Sequence, residues 1–212
     1  MMSDDATFAA ISDERRRLAT VFEEFTSDQW ATPSLCAGWS VHDVAAHLVV
    51  PLVVPMWRFG VAMALARGNF DRANVAMTRH IADTRGDRLP ELLTEHADKR
   101  FTPPGHGPLA PLTDVIIHGQ DILRPLGLTI ALDPEPLAAV LDYAARGDST
   151  ERPRFGIPLR WEATDLDWAH GSGPAVTGPA IALALILTGR MAGLADTTGD
   201  GSEHLRAART AR

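Results

Sequence analysis

Asp114 and His118 stand four residues apart in the stretch Asp114-Val-Ile-Ile-His118-Gly-Gln-Asp121. On a helix that spacing puts both side chains on one face, one turn apart. One helix can offer two such groups to a single divalent cation. Val115, Ile116 and Ile117 lie between them, so the polar pair is set in apolar sequence. A carboxylate and an imidazole buried there are costly unless they meet each other, a cation or a ligand. Taken alone, the spacing favours a plain hydrogen-bonded pair over a metal site.

A second isolated polar group is His47. The helix that carries it is predicted to start at Val41, where Ser40 and Asp43 have the pattern of a capping box with Asp in place of Glu. It reads as apolar nearly all round through Val44, Leu48, Val49, Leu52 and Met56, and is predicted to run towards Arg67 in the middle of a bundle. Pro51 follows His47 by four residues and has no N–H, so the carbonyl of His47 loses its partner in the helix. Pro55 does the same to the carbonyl of residue 51. A kink or break is therefore expected just after His47, either bending the helix around the core or shaping the mouth of a pocket.

The elements that must position these groups follow from periodicity. Residues 5–26 read as an amphipathic helix through Phe8, Ile11, Leu18, Val21, Phe22 and Phe25. A third helical region spans about 70–100, broken near Gly86 and restarted at Leu89-Pro90. The breaker-rich loop Phe101–Pro108 precedes a fourth helix over 109–123, which Arg124-Pro125 stops. A shorter helix over 134–146 has Asp133 as N-cap and Pro134 at its first position. Long helices with short connections predict an antiparallel four-helix bundle over residues 1–147. A polar linker at 148–154 opens a small C-terminal α/β region, 148–212. It is predicted to hold strands at 157–164 and 166–170, an apolar helix at 181–187, and a last helix begun by Asp200 and Glu203.

Composition narrows the function. The formal charge of -7 and the lack of a basic stripe exclude a phosphate-binding nucleic-acid face. The acidic Asp4 and Asp5 are the opposite of a signal peptide, and the longest apolar run, Leu48–Trp57, is short for a membrane span and carries two prolines. Cys36 is the single cysteine, so no internal disulfide framework exists and a reducing cytoplasm is expected. Lys99 is the one lysine among 20 basic residues, a bias typical of GC-rich genomes such as those of actinobacteria.

Two motifs together are similar to a known family. Thr32-Pro-Ser-Leu-Cys36-Ala-Gly-Trp39-Ser-Val-His42-Asp43-Val-Ala-Ala-His47-Leu48 resembles the first metal-ligand motif of the DinB-like, mycothiol-dependent maleylpyruvate isomerase family. Asp114-Val-Ile-Ile-His118-Gly-Gln-Asp121-Ile-Leu-Arg124-Pro-Leu-Gly127 resembles the second. The tail, with Gly171-Ser-Gly-Pro174, Thr177-Gly-Pro179, Leu187-Thr-Gly-Arg190 and Thr198-Gly-Asp-Gly201, is similar to the family's C-terminal region. The likeness covers most of the chain and is weakest over 55–105.

The resemblance implies a four-helix bundle holding one divalent metal on His47, Asp114 and His118, with zinc the natural ion for two imidazoles and a carboxylate and nickel or iron also compatible. Three protein ligands leave positions open, as catalytic sites do. It further implies mycothiol as cosubstrate in an isomerisation or S-transfer on a small electrophile. Asp114 stands where the family's isomerase is expected to have Glu; the side chain is shorter by one methylene, which touches substrate identity more than metal binding. A metal-dependent hydrolase, or a non-catalytic metal- or ligand-binding protein on the same bundle, is the alternative. A homodimer is left open.

Other residues are read more plainly. Asp43 is a helix cap, and Asp121 supports a ligand or ends a helix rather than binding metal. Arg124 is a weak candidate for an anionic substrate, since Arg at a helix C-terminus is common for dipole reasons alone. Cys36 has nothing close in sequence to activate it and is expected to be a buried or loop thiol. His80, His96, His106, His170 and His204 are expected in loops or at the surface. Trp39, Trp57, Trp161 and Trp168 are expected as core or interface anchors.

Overall fold

The computed structural model describes residues 2–147 and 155–210. The polar linker expected at 148–154 lies outside the described residues. The chain divides into two compact units, Asp4–Ile130 and Ala131–Arg212 together with Met1–Ser3. It is mainly α with one small sheet, as expected from the sequence. Among the described residues no helix is long and apolar enough to cross a membrane.

In the first unit, α1 (Asp4–Phe22) buries Ile11, Leu18, Ala19 and Phe22 along one stripe and packs on α6 (Leu89–Glu95) and α7 (Leu109–Leu123). The helix expected over 5–26 ends at Phe22. Thr26 then starts a separate short α2 (Ser27–Ala31) through a reciprocal capping box with Gln29, and the rings of Phe22, Phe25 and Trp30 pack together across this turn.

α3 (Val41–Val53) starts as expected: Ser40 Oγ accepts from Asp43 N, and Asp43 answers to Ser40 N. Val41, Val44, Ala45, Leu48, Val49 and Leu52 are buried against α5 (Phe70–Arg85), α6 and α7. The expected break just after His47 does not occur. Pro51 is held inside α3, and the helix ends two residues later. The chain parts at Val54, extended at φ -87° and ψ 120°, because Pro55 disfavours helical backbone in the residue before it. Lys99 Nζ donates to the carbonyl of Leu52 at 2.7 Å, closing the end of α3 with a cation.

The residues expected to continue as one core helix to Arg67 instead form α4 (Met56–Leu65), which buries none of its side chains. The break near Gly86 is a 3-10 turn, Gly86–Arg88, between α5 and α6. On α7, Gly119 is where α1 comes close: a Cβ there would lie 3.2 Å from Leu18 Cδ2. That approach brings α1 against the helix that carries Asp114 and His118.

In the second unit, α8 (Pro134–Arg146) packs on α9 (Ala180–Leu187). α8, placed with the bundle on sequence, thus groups with the C-terminal segment, because its apolar face of Leu137, Val140, Leu141 and Ala144 finds its cover there. The two expected strands are present but shorter, β1 (Arg160–Ala163) and β2 (Ala169–Gly171), paired antiparallel with Trp161 opposite His170. A third, β3 (Ala175–Gly178), was not foreseen. It pairs parallel to β1 with Val176 opposite Trp161, giving the order β2-β1-β3. Trp161 is a core anchor at 4% exposure. The last helix, α10 (Asp200–Thr210), packs on β3.

Candidate metal centre

α7 carries Asp114 and His118 one turn apart, and α3 brings His47 to the same point. Asp114 Oδ1 lies 3.3 Å from His118 Nε2 and 3.7 Å from His47 Nε2. The two imidazole rings meet nearly at right angles, 77°, with centroids 4.8 Å apart. One donor atom from each of the three residues lies within 4.8 Å of the others. The histidine side chains are mostly covered, at 14% and 12% exposure, while Asp114 keeps 42% in solvent. The trio is therefore open on the carboxylate side.

Behind it lies a second layer that spacing along the chain does not reveal. Asp121, fully buried, accepts from His118 Nδ1 at 2.9 Å. The Cys36 thiol donates to the same oxygen, Oδ2, at 3.1 Å, and its Sγ is 3.7 Å from His118 Nδ1. The loop bearing Cys36 is pinned to α7 by Leu35 N donating to the Asp121 carbonyl. It closes on itself through Ser34 N to the Trp39 carbonyl and Trp39 N to that of Cys36, with Gly38 taking the positive φ of 79° that the turn requires. Trp39 then packs its ring against His47, centroids 5.6 Å apart.

The tautomer of His118 follows. Its Nδ1–H is committed to Asp121, so in the neutral ring Nε2 is a lone pair. That lone pair faces an Asp114 oxygen, which also only accepts. Two acceptors at 3.3 Å are stable only with a proton or a cation between them. In the metal-free protein the proton takes that place. Burial alone would lower the His118 pKa, but the charge of Asp114, backed by hydrogen bonds with Asp114, Asp121 and Cys36, carries it well above its ordinary 6.5. Burial would raise the Asp114 carboxyl, and the charge of His118 with hydrogen bonds from both histidines holds it well below the usual carboxylate range. The residues fit a divalent ion by the same argument: two nitrogen lone pairs and a carboxylate converge from two helices. His47 Nδ1 is buried with no partner, so His47 lacks the outer support that His118 has.

The other expected residues divide clearly. Asp43 is the cap of α3. Asp121 supports a candidate ligand, and Cys36, a loop thiol as expected, touches that support. His42 turns away, its Nε2 3.3 Å from the Gly86 carbonyl. Arg124 caps the C-terminal end of α7, six residues or about 9 Å of helix axis beyond His118. Its part in substrate binding stays an expectation. Arg15 was not foreseen: 5% exposed on α1, it donates to the carbonyls of Ala97 and Lys99 at 2.8 and 2.9 Å. Burial pulls its guanidinium down to about 10, with the charges of Asp114 and then Asp98 pulling back.

These shifts set a pH signature. The share of stability from raised His118 is fully present below 6.5 and is lost as pH rises through its folded value. The share from depressed Asp114 is present above 3.8 and is lost as pH falls through its folded value. Metal uptake runs the other way on the alkaline side, since imidazoles must shed protons to bind. The melting temperature of chelator-treated protein is expected to fall as pH is raised above neutrality, while the increment added by zinc grows. Thermal scans across that range, with and without zinc, check this; parallel curves would contradict it.

Comparison with known proteins agrees with the motifs. Two crystal structures share the fold, those of a mycothiol-dependent maleylpyruvate isomerase and of its histidine-to-alanine mutant. Each has a TM-score of 0.63 and covers 95% of this chain and 94% of its own, at 13% and 11% identity. No match was found among curated proteins. Residues 11–123 match the family described as the mycothiol maleylpyruvate isomerase N-terminal domain. That segment is more than half of the 212 residues, and it is the part that holds His47, Asp114 and His118. The chain belongs to the mycothiol maleylpyruvate isomerase N-terminal domain family.

Proposed function

We propose that this chain is a metal-dependent enzyme that uses mycothiol to isomerise, or to form a thioether with, a small electrophilic substrate, with His47, Asp114 and His118 holding one zinc ion. The observation that carries the reading is the His118 arrangement: its Nδ1 is anchored on buried Asp121 while its Nε2 and an Asp114 oxygen face each other beside His47. A divalent ion held there supplies the positive charge that keeps a thiol in its thiolate form at neutral pH.

The chain's own residues do the rest. The two imidazoles give neutral donors, Asp114 offsets part of the ion's charge, and Asp121 fixes the ring of His118 against rotation. The Trp39 ring covers one side of His47, and the exposed side of Asp114 marks where substrate and thiol enter. The thiolate sulfur adds to an activated carbon–carbon double bond. Rotation about the resulting single bond and expulsion of the thiolate give the isomer; protonation of the adduct instead gives the S-conjugate. A cytoplasmic location, where such a thiol stays reduced, agrees with a chain whose single cysteine is Cys36.

The test is metal analysis of the purified protein combined with turnover of an activated cis-alkene diacid in the presence and absence of mycothiol. One zinc per chain and turnover only with the thiol are expected. Hydrolysis without any thiol would sink the proposal in favour of a hydrolase. Metal binding with no turnover on a panel of electrophiles would favour a binding protein.

A further inference from the structure

His118 and His47 reach the same point with different backing. His118 is anchored through Nδ1 on the buried Asp121 carboxylate, which fixes the plane of its ring. His47 Nδ1 is buried and has no hydrogen-bond partner among the described residues. Its Nε2 stands 3.7 Å from Asp114 Oδ1, against 3.3 Å for that of His118. The torsion that turns an imidazole ring is broad, so the rotamer by itself leaves the plane loosely set. A ring that no acceptor orients must be held by what packs on it.

Two rings pack on His47. One belongs to His118, with centroids 4.8 Å apart and planes at 77°. The other is the indole of Trp39, 5.6 Å away at 66°. Both are edge-to-face contacts, an arrangement aromatic pairs prefer. His118 is itself one of the groups to be aligned, which leaves Trp39 as the fixed reference. Its backbone is pinned for that part. The Trp39 carbonyl accepts from Ser34 N at 2.9 Å and from Ser34 Oγ at 2.8 Å, and its N–H donates to the Cys36 carbonyl at 3.0 Å. Ser40, the next residue, is the N-cap of α3. The same loop reaches α7, where Leu35 N and the Cys36 thiol donate to the carbonyl and the side chain of Asp121, each at 3.1 Å. One loop therefore stands behind both histidines: Cys36 touches the support of His118, and Trp39 touches His47 itself.

We propose that Trp39 is the positioning residue of His47, its indole setting the imidazole plane so that Nε2 points at the space shared with Asp114 and His118. The assignment rests on the metal reading above. An indole has a donor and no acceptor, so it cannot receive a proton from His47 Nδ1 and acts by confinement, where Asp121 acts on His118 by a hydrogen bond.

Nuclear magnetic resonance of the metal-free full chain, with calorimetric zinc titration, tests it on wild type, Trp39→Phe and Trp39→Leu. In the wild type, cross-relaxation is expected between the ring protons of His47 and those of both Trp39 and His118. Trp39→Leu is expected to weaken the His47–His118 cross-peaks, to keep the His118 Nδ1 proton signal, and to bind zinc roughly 10-fold or more weakly. Trp39→Phe, which keeps an aromatic ring, is expected to retain those cross-peaks and stay within a few-fold of wild-type affinity. A tryptophan that only anchors the core would lower the melting temperature of Trp39→Leu while the folded variant kept its His47–His118 cross-peaks and its zinc affinity; that result overturns the proposal. So does a wild type without Trp39–His47 cross-peaks, a measurement that decides the matter even if Trp39→Leu does not fold. A wild type that takes up no zinc overturns the metal reading and this assignment with it, whereas zinc uptake equal in wild type and Trp39→Leu overturns this assignment alone.

Discussion

His118→Ala is expected to bind zinc or cobalt more than about 100-fold more weakly than the wild type, beyond the roughly 10- to 100-fold that losing an outer partner of a ligand costs. The side chain is at once an expected ligand and a direct link from the buried Asp121 carboxylate to Asp114. Its loss removes one of three donors, and it leaves Asp121 facing the Cys36 thiol in a fully buried position. The metal-free variant is therefore expected to lose stability as well, by about 3 kcal/mol if the buried carboxylate is left without its charged partner. Calorimetric zinc titration and chemical denaturation measure the two effects separately. Wild-type affinity in this variant would remove the three-donor site from consideration.

Asp121→Asn should show the next largest effect, a loss of roughly 10- to 100-fold in zinc affinity with all three expected ligands intact. The amide keeps the shape of the carboxylate but not its acceptor-only chemistry. If its nitrogen faces His118, the imidazole must move its proton to Nε2, and the lone pair aimed at Asp114 is gone. If its oxygen takes the place of Oδ2, His118 Nδ1 and the Cys36 thiol both keep their acceptor, but the negative charge that holds the imidazole is gone. The visible spectrum of the cobalt-loaded protein reports both outcomes through ligand geometry. Cys36→Ser, which keeps a donor to Asp121, should stay within a few-fold of wild type. Equal cobalt spectra and equal affinity in Asp121→Asn would show that the hydrogen bond to His118 Nδ1 does not orient the ligand.

Much of this was legible before any coordinates, for reasons that differ element by element. The bounds of α7 and α8 were readable because Pro108, Arg124-Pro125, Asp133-Pro134 and Gly147 punctuate strong apolar periods. The start of α3 was readable because a capping box is a local chemical pattern. Its end was not: Pro51 and Pro55 each remove one donor, and only the three-dimensional setting decides which ends the helix. β3 escaped notice because its pairing with β1 is a contact between segments separated by β2 and a Gly-Ser-Gly turn. His47, Asp114 and His118 could be named as a trio only through family resemblance, since spacing links the last two alone. Cys36 is the loop thiol expected, but its place behind His118 was not legible, because its partners stand more than eighty residues away, where no sequence window reaches.

The single lysine has a consequence for anyone handling this protein. Lys99 holds the carbonyl of Leu52 at the end of α3, the helix whose middle carries His47. Amine-directed reagents, whether for surface immobilisation, fluorescent tagging or cross-linking, have this one side-chain amine as a target beside the terminal α-amine. Acylating Lys99 removes both the charge and the donor that close α3, so a tag intended as a spectator would be attached to the helix that carries His47 of the candidate metal site. Labels are better carried by an introduced thiol on α10, in a Cys36→Ser background.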